Sequence, residues 1–240
     1  MELQAGFLES KALALVFLES KALALVFLES KALALVFFKM KRFLSALFFI
    51  VCLLPLIGLI TGAITDNLGA NPIETLLRET GEWTLRLLIL TLCVSPFYQI
   101  TGWHHFNKTV NLGKLFGLYA FFYSCVHLLI YLIFEHTFDW IEIFNDILER
   151  PAISIGFIAF VLMIPLAVTS NRAMINRLGM PRWKRLHQLT YLVAISGVLH
   201  FWWLAQAKVD VQEPLIYAAI VSILLLMRYP PVMNRLARKV

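Results

Sequence analysis

Three observations predict an all-α integral membrane protein, a six-helix bundle with both termini in the cytoplasm. The first is composition: of 240 residues, 60% are hydrophobic and only 15% charged, with a mean hydropathy of +0.78. A soluble domain of this size does not sustain that balance. The second is six mostly apolar runs of the length that a hydrocarbon core of about 30 Å requires. The third is charge that changes sign from one inter-run segment to the next, the positive-inside pattern.

The runs are Phe43–Ile64, Leu85–Ile100, Leu115–Phe134, Ala152–Ser170, Leu186–Leu204 and Pro214–Tyr229. The second is short for a span, so its polar start, Glu82, Trp83 and Arg86, is expected inside the membrane boundary. Lys39, Lys41 and Arg42 precede the first run, and Lys108 and Lys114 follow the second. Arg172, Arg177, Arg182, Lys184 and Arg185 follow the fourth, and Arg228, Arg235, Arg238 and Lys239 close the chain. The other three segments carry Asp66, Glu74, Glu79 and Glu82; Glu135, Asp139, Glu142, Asp146 and Glu149; and Asp210 and Glu213. The formal charge of +6 is therefore a topology signal directed at membrane lipid, and nucleic acid is not an expected partner. Odd-numbered spans run outward.

Cys52, Cys93 and Cys125 all fall inside spans and no CxxCH occurs, so neither a disulfide framework nor covalent haem attachment is expected. Trp83, Trp140, Trp202 and Trp203 fall near predicted outer boundaries, where amphipathic rings sit at headgroup level.

Ahead of the first span, FLESKALALV occurs three times without change, at 7–16, 17–26 and 27–36. Repeats that specify solenoids are longer and diverged. Residues 1–38 therefore read as an amphipathic, helix-prone tail without an architectural role, and 39–240 as the membrane domain. Met40-Lys41-Arg42 before FLSALFFIVCLLP has the look of a natural start. It also resembles a signal peptide, but lacks a small-residue cleavage site and is followed by five more spans.

Three histidines lie well within spans: His127, His187 and His200. A neutral imidazole still has a donor and an acceptor to satisfy, so each needs a partner. A polar contact between helices, a proton relay, a metal site and axial haem ligation all provide one. With spans three and five both running outward, His127 and His200 occupy similar depths in the outer half, and His187 lies about 20 Å nearer the cytoplasm along span five. Two histidines at one depth on different helices suit a bis-imidazole haem. Zinc would want four crowded ligands, and a proton relay usually recruits carboxylates, of which the spans hold none that is well buried. A haem-free transporter or channel gated by these histidines is the alternative. On an ideal helix His187 and His200 point about 140° apart, so either two haems flank span five or Ser196-Gly197 bends it.

GLYAFFYSCVHLLIY, RPAISIGF, PLAVTSNRAMINRLG, WKRLHQLTYLVAISGVLHFWW and EPLIYA, in this order and separation, resemble the MsrQ (YedZ) family of the ferric-reductase-like transmembrane group. The resemblance covers roughly Met40 to Lys239. It implies six helices with stacked b-type haems, one or two in number, and axial ligands at His127, His187 and His200. It further implies a bacterial inner-membrane electron conduit without substrate chemistry of its own. Electrons would enter from the quinone pool or a flavin reductase and leave to a periplasmic molybdopterin methionine sulfoxide reductase subunit, MsrP. FMN binding is also associated with the family, though no motif here specifies a flavin site. Relatives often carry paired arginines at the start of span three, where this chain has Gly113-Lys114. The second ligand of a cytoplasmic-side haem is thus left open.

The remaining candidates each have a plain alternative. Arg78 and Arg86, near the outer face, could hold haem propionates or snorkel to headgroups; Lys114 could face a propionate or serve the charge pattern. Arg182, Lys184 and Arg185 suit docking of an acidic donor, although anionic lipid accounts for them equally. His104 and His105 are expected to be solvated, and His136 to lie on the surface near a partner. Tyr123 and Tyr131 flank His127 at four residues either side and are expected to pack. Only eleven residues follow Tyr229, too few for an appended flavin domain, so a haem protein of this length needs a separate donor.

Overall fold

The computed structural model describes residues 42–101, 111–206 and 211–228, together with positions 31, 35, 36, 39 and 40. His104, His105, Lys108, Asp210, the C-terminal cations after Arg228 and nearly all of the repeated tail lie outside the described residues. Two compact units are distinguished, Met1–Phe48 and Phe49–Val240. The following concerns the second, with the helix that leads into it.

Among the described residues every regular element is helical. Helix α1 is Arg42–Ile64 and α2 Pro72–Thr101. Helix α3, Leu112–Ile130, continues as a π-helical turn, Tyr131–Glu135. Then come α4, Trp140–Glu149; α5, Pro151–Val168; α6, Arg172–Leu178; α7, Met180–His187; α8, Leu189–Gln206; and α9, Gln212–Met227. Five helices are long and apolar enough to cross a membrane: α1, α2, α3 with its π turn, α5, and α7 together with α8. At 16 residues, α9 is apolar but shorter.

The second span differs from the sequence expectation. It begins at Pro72 instead of Leu85 and runs for 30 residues. Asn71 caps its start, accepting from Glu74 N–H at 3.2 Å, and its polar first half is helix like the rest. This is the central helix: Leu85, Leu87, Leu88, Ile89 and Leu92 are all buried, against Tyr119, Ala120 and Tyr123 of α3, Val193, Ala194 and Val198 of α8, and Val221 and Leu224 of α9. Ala120 and Ala194 are fully buried, the small residues that allow helix backbones to approach in an apolar surround.

Proline shapes these helices through the N–H it lacks. Pro55 lies within α1, and beside it the Tyr123 hydroxyl accepts from Leu56 N–H at 3.1 Å and donates to the Cys52 carbonyl at 2.9 Å. One turn away, Tyr119 donates to the Phe49 carbonyl at 3.0 Å. Two tyrosines four positions apart on α3 thus tie α3 to α1 through backbone groups.

The π turn brings Tyr131 onto the amphipathic α4, which the sequence reading left as a loop. Asp139 caps α4, its Oδ1 accepting from Ile141 and Glu142 N–H at 3.0 and 3.1 Å. One face carries exposed Trp140, Ile141, Phe144 and Leu148; Ile143 is buried. On the inner side Asp146 accepts from Tyr131 hydroxyl at 2.6 Å and from Arg150 at 3.0 Å. His136 Nε2 lies 3.4 Å from Asp146 and Nδ1 3.5 Å from Glu142. His136 is buried, at 8% exposure, and not the surface residue expected, because the π turn folds it back under α4.

Tyr123→Phe should lower stability by about 1–3 kcal/mol, the cost of a buried backbone group left unpaired, read as an earlier thermal transition in detergent. Partial burial raises the Asp146 carboxyl, but the Tyr131 and Arg150 hydrogen bonds and the Arg150 charge outweigh it and hold it below the usual aspartate range. A depressed carboxyl stabilises above its unfolded value, and that stability is lost as pH falls through its folded value. Below about pH 4, α4 should therefore loosen, seen as faster amide exchange over 140–149. Asp146→Asn should show the loosened state at neutral pH.

Candidate functional site

Two of the three singled-out histidines meet. His127 of α3 and His200 of α8 have ring centroids 6.2 Å apart and planes at 89°. Each ring is anchored on a neighbouring helix in the same manner. His127 Nδ1 lies 2.9 Å from the Leu77 carbonyl of α2 and His200 Nδ1 2.6 Å from the Ala152 carbonyl of α5. A carbonyl only accepts, so in both rings Nδ1 carries the proton and Nε2 the lone pair. A metal-ligating histidine is typically oriented this way, its second nitrogen donating to a backbone carbonyl.

A glycine stands one turn beyond each carbonyl, Gly81 after Leu77 and Gly156 after Ala152. A Cβ at Gly81 would sit 3.2 Å from His127 Cε1; one at Gly156 would sit 2.6 Å from His200 Nδ1. The second approach is too close for any side chain, so His200 occupies the space that Gly156 leaves. Thr80, fully buried, places its hydroxyl 3.3 Å from His127 Nδ1 while donating to the Leu76 carbonyl at 2.7 Å. Gly81, Gly156 and Thr80 were missed as site residues. The available signal was a glycine in the middle of a helix, in the polar RETGEW and the apolar AISIGF.

His187 is arranged differently. Its Nε2 lies 3.1 Å from Thr169 Oγ1, which donates its own proton to the Pro165 carbonyl at 2.6 Å. Nε2 of His187 is thus the donor, the opposite tautomer from the other pair. Trp183 lies against the ring at 4.1 Å between centroids and donates to the Thr169 carbonyl at 3.0 Å. Both His187 and His200 therefore contact α5, at opposite ends. Gln188 lies between α7 and α8 with helical backbone angles, and Ser196-Gly197 sits inside α8.

The spans do hold a buried carboxylate, contrary to expectation. Glu82, 3% exposed, ion-pairs with Arg86 and lies 3.6 Å from Arg78. Glu82 was expected inside the membrane boundary at the polar start of the span, but not as a buried group. Arg86 also donates from Nε to the Tyr217 hydroxyl at 3.0 Å and lies 4.9 Å from the Trp83 ring centre. Arg78 remains half-exposed. Lys114 is exposed on the first turn of α3, and Arg182, Lys184 and Arg185 are exposed on α7. The structure does not bring these cations to the His127–His200 pair. Tyr123 and Tyr131 pack as expected, one on α1 and the other on α4.

The family described as "Ferric reductase like transmembrane component" matches residues 80–198, a stretch holding Thr80, Gly81, His127, Gly156 and His187. The chain is 45% identical over 185 residues to the protein-methionine-sulfoxide reductase heme-binding subunit MsrQ of Herminiimonas arsenicoxydans, covering 77% of this chain and 84% of that protein. It is 47% identical over 182 residues to the MsrQ of Azospira oryzae, 76% of each chain. With the MsrQ of Rhodospirillum rubrum it shares 43% over 187 residues, 78% of this chain and 88% of the other. A multi-pass membrane protein with this helix order and identity at this level over three quarters of its length belongs to the MsrQ family.

Proposed function

We propose that the chain is a membrane b-type cytochrome whose principal haem is held between His127 and His200. The observation that carries this reading is the pair itself: rings 6.2 Å apart on facing helices, each with Nδ1–H anchored and the Nε2 lone pair available. His127 and His200 would hold the haem through Nε2, and the group would supply one-electron transfer. The chain's residues do the rest. Leu77 and Ala152 fix the tautomers and Gly81 and Gly156 admit the rings. Thr80 shares the His127 proton. The relatives are named as heme-binding subunits of a methionine sulfoxide reductase, which supports the same cofactor here.

On this reading the protein lies in the bacterial inner membrane with six spans, α9 the sixth, and the basic ends of the helices in the cytoplasm. Electrons enter there from the quinone pool or a flavin reductase and leave at the acidic ends to a periplasmic molybdopterin methionine sulfoxide reductase, MsrP. Exposed Arg182, Lys184 and Arg185 beside Trp183 and His187 suit an anionic donor. Near the outer site Arg78 is the freer cation for propionates, since Arg86 is committed to Glu82 and Tyr217. FMN, implied by the resemblance, has no residues assigned. Residues 39–240 form the haem domain, and 1–38 a tail outside it. A haem-free proton relay gains one buried carboxylate in Glu82, but the Arg86 pairing holds that group as an ion pair.

Purified protein should show a b-type reduced-minus-oxidised spectrum. His200→Ala and Gly156→Val should each abolish or sharply alter it, and His187→Ala should spare the outer signal. A well-folded protein that stays colourless after haem supplementation overturns the reading. Removal of residues 1–39 should leave haem content and electron transfer intact; loss of both in an inserted, truncated protein would give the repeat a role.

A further inference from the structure

From Met40 onward every Asp and Glu lies in 66–82, 135–149 or 210–213; the stretches 83–134, 150–209 and 214–240 hold none. The described residues around Arg228, at the C-terminal end of α9, consequently include no carboxylate side chain from their own stretches 83–134, 150–209 and 214–240. Arg228, directly after α9, nonetheless turns inward there. Its Nη1 donates to the Tyr191 hydroxyl of α8 at 2.7 Å and its Nη2 to the Leu92 carbonyl of α2 at 2.8 Å, with the guanidinium 5.0 Å from the Tyr191 ring centre. Leu92 stands four residues before Pro96, which has no N–H to give that carbonyl. All of these partners are neutral. Nε is buried and has no hydrogen-bond partner among the described residues.

Arg228 is half-buried, with its Nε fully enclosed; a guanidinium does not shed its proton, and a charge drawn even partly out of water without a counter-charge is costly. Neutral partners satisfy two N–H groups and leave the charge and the Nε–H. We propose that Arg228 is an oxyanion-binding residue: between α2, α8 and α9 it holds a phosphate or carboxylate group that the described residues do not supply. The two sources of that chemistry are the headgroup phosphate of a tightly bound phospholipid and the propionate of a haem at this depth. The second source rests on the cytochrome reading and the first does not. Arg228 acts here as a positioning residue for its ligand, distinct from the exposed cations of α7.

The test uses the full chain in mild detergent as wild type, Arg228→Gln, Arg228→Lys and Pro96→Ala/Arg228→Gln. Phospholipid phosphorus and haem are counted per polypeptide through successive detergent washes, and bound species are weighed by native mass spectrometry. The wild type and Arg228→Lys should retain the anionic species. Arg228→Gln should hold it roughly tenfold more weakly, the effect of losing a charge-assisted hydrogen bond. The double variant, which restores the Leu92 partner and secures folding, should lose it equally. Loss of phospholipid at constant haem assigns the phosphate; loss of haem at constant phospholipid assigns the propionate. A colourless wild type would fail the cytochrome reading while the phosphorus count still reads this one. Retention of both species at wild-type levels in the two Gln variants, or a wild type that carries neither, overturns the proposal and leaves Arg228 as a cap for Leu92.

Discussion

A backbone carbonyl that accepts an imidazole N–H is the contact around which the site is organised. In a helix bundle with little water, each polar atom has to find its partner within the protein. His127 and His200 do so on Leu77 and Ala152, and that choice sets which nitrogen faces the other ring. Glycine one turn on, at 81 and 156, is the complement of the contact, because a side chain there would occupy the imidazole's place. Helices α2 and α5 therefore act as backrests, and α3 and α8 carry the working side chains.

The same demand explains the bundle's other long-range hydrogen bonds. Proline removes an N–H and frees the carbonyl four residues before it, and Arg228 takes that carbonyl, of Leu92, ahead of Pro96. Near Pro55 Tyr123 bridges Cys52 and Leu56. Thr169 donates to the Pro165 carbonyl and in turn orders His187. Local irregularities in three helices thus serve as attachment points for α3, α9 and α7.

Charge is divided as sharply as polarity. Carboxylates gather at one end, where Glu82 pairs with Arg86 and Asp146 with Arg150, and α4 turns an apolar face outward beside them, as a helix lying in a membrane interface does. The other helix ends carry the cations Lys114, Arg172, Arg177, Arg182, Lys184, Arg185 and Arg228.

Composition, run length and charge alternation are additive along the chain, so the helical membrane class, the apolar spans and the two unlike ends were legible in the sequence. Histidine in an apolar run was equally visible, since an imidazole there stands out wherever the helix packs. Packing alone settled which rings meet, which nitrogen each presents, and why His187 stands apart, because these depend on atoms brought together from residues some fifty positions apart. Gly81 and Gly156 matter for side chains they lack, and the burial of Glu82 depends on Arg86 and the helices packed around it. The inward turn of Arg228 belongs to the same class: its sequence reads as one more basic residue at a span's end, and only the position of Leu92 and Tyr191 around it gives it a half-buried guanidinium with neutral partners among the described residues.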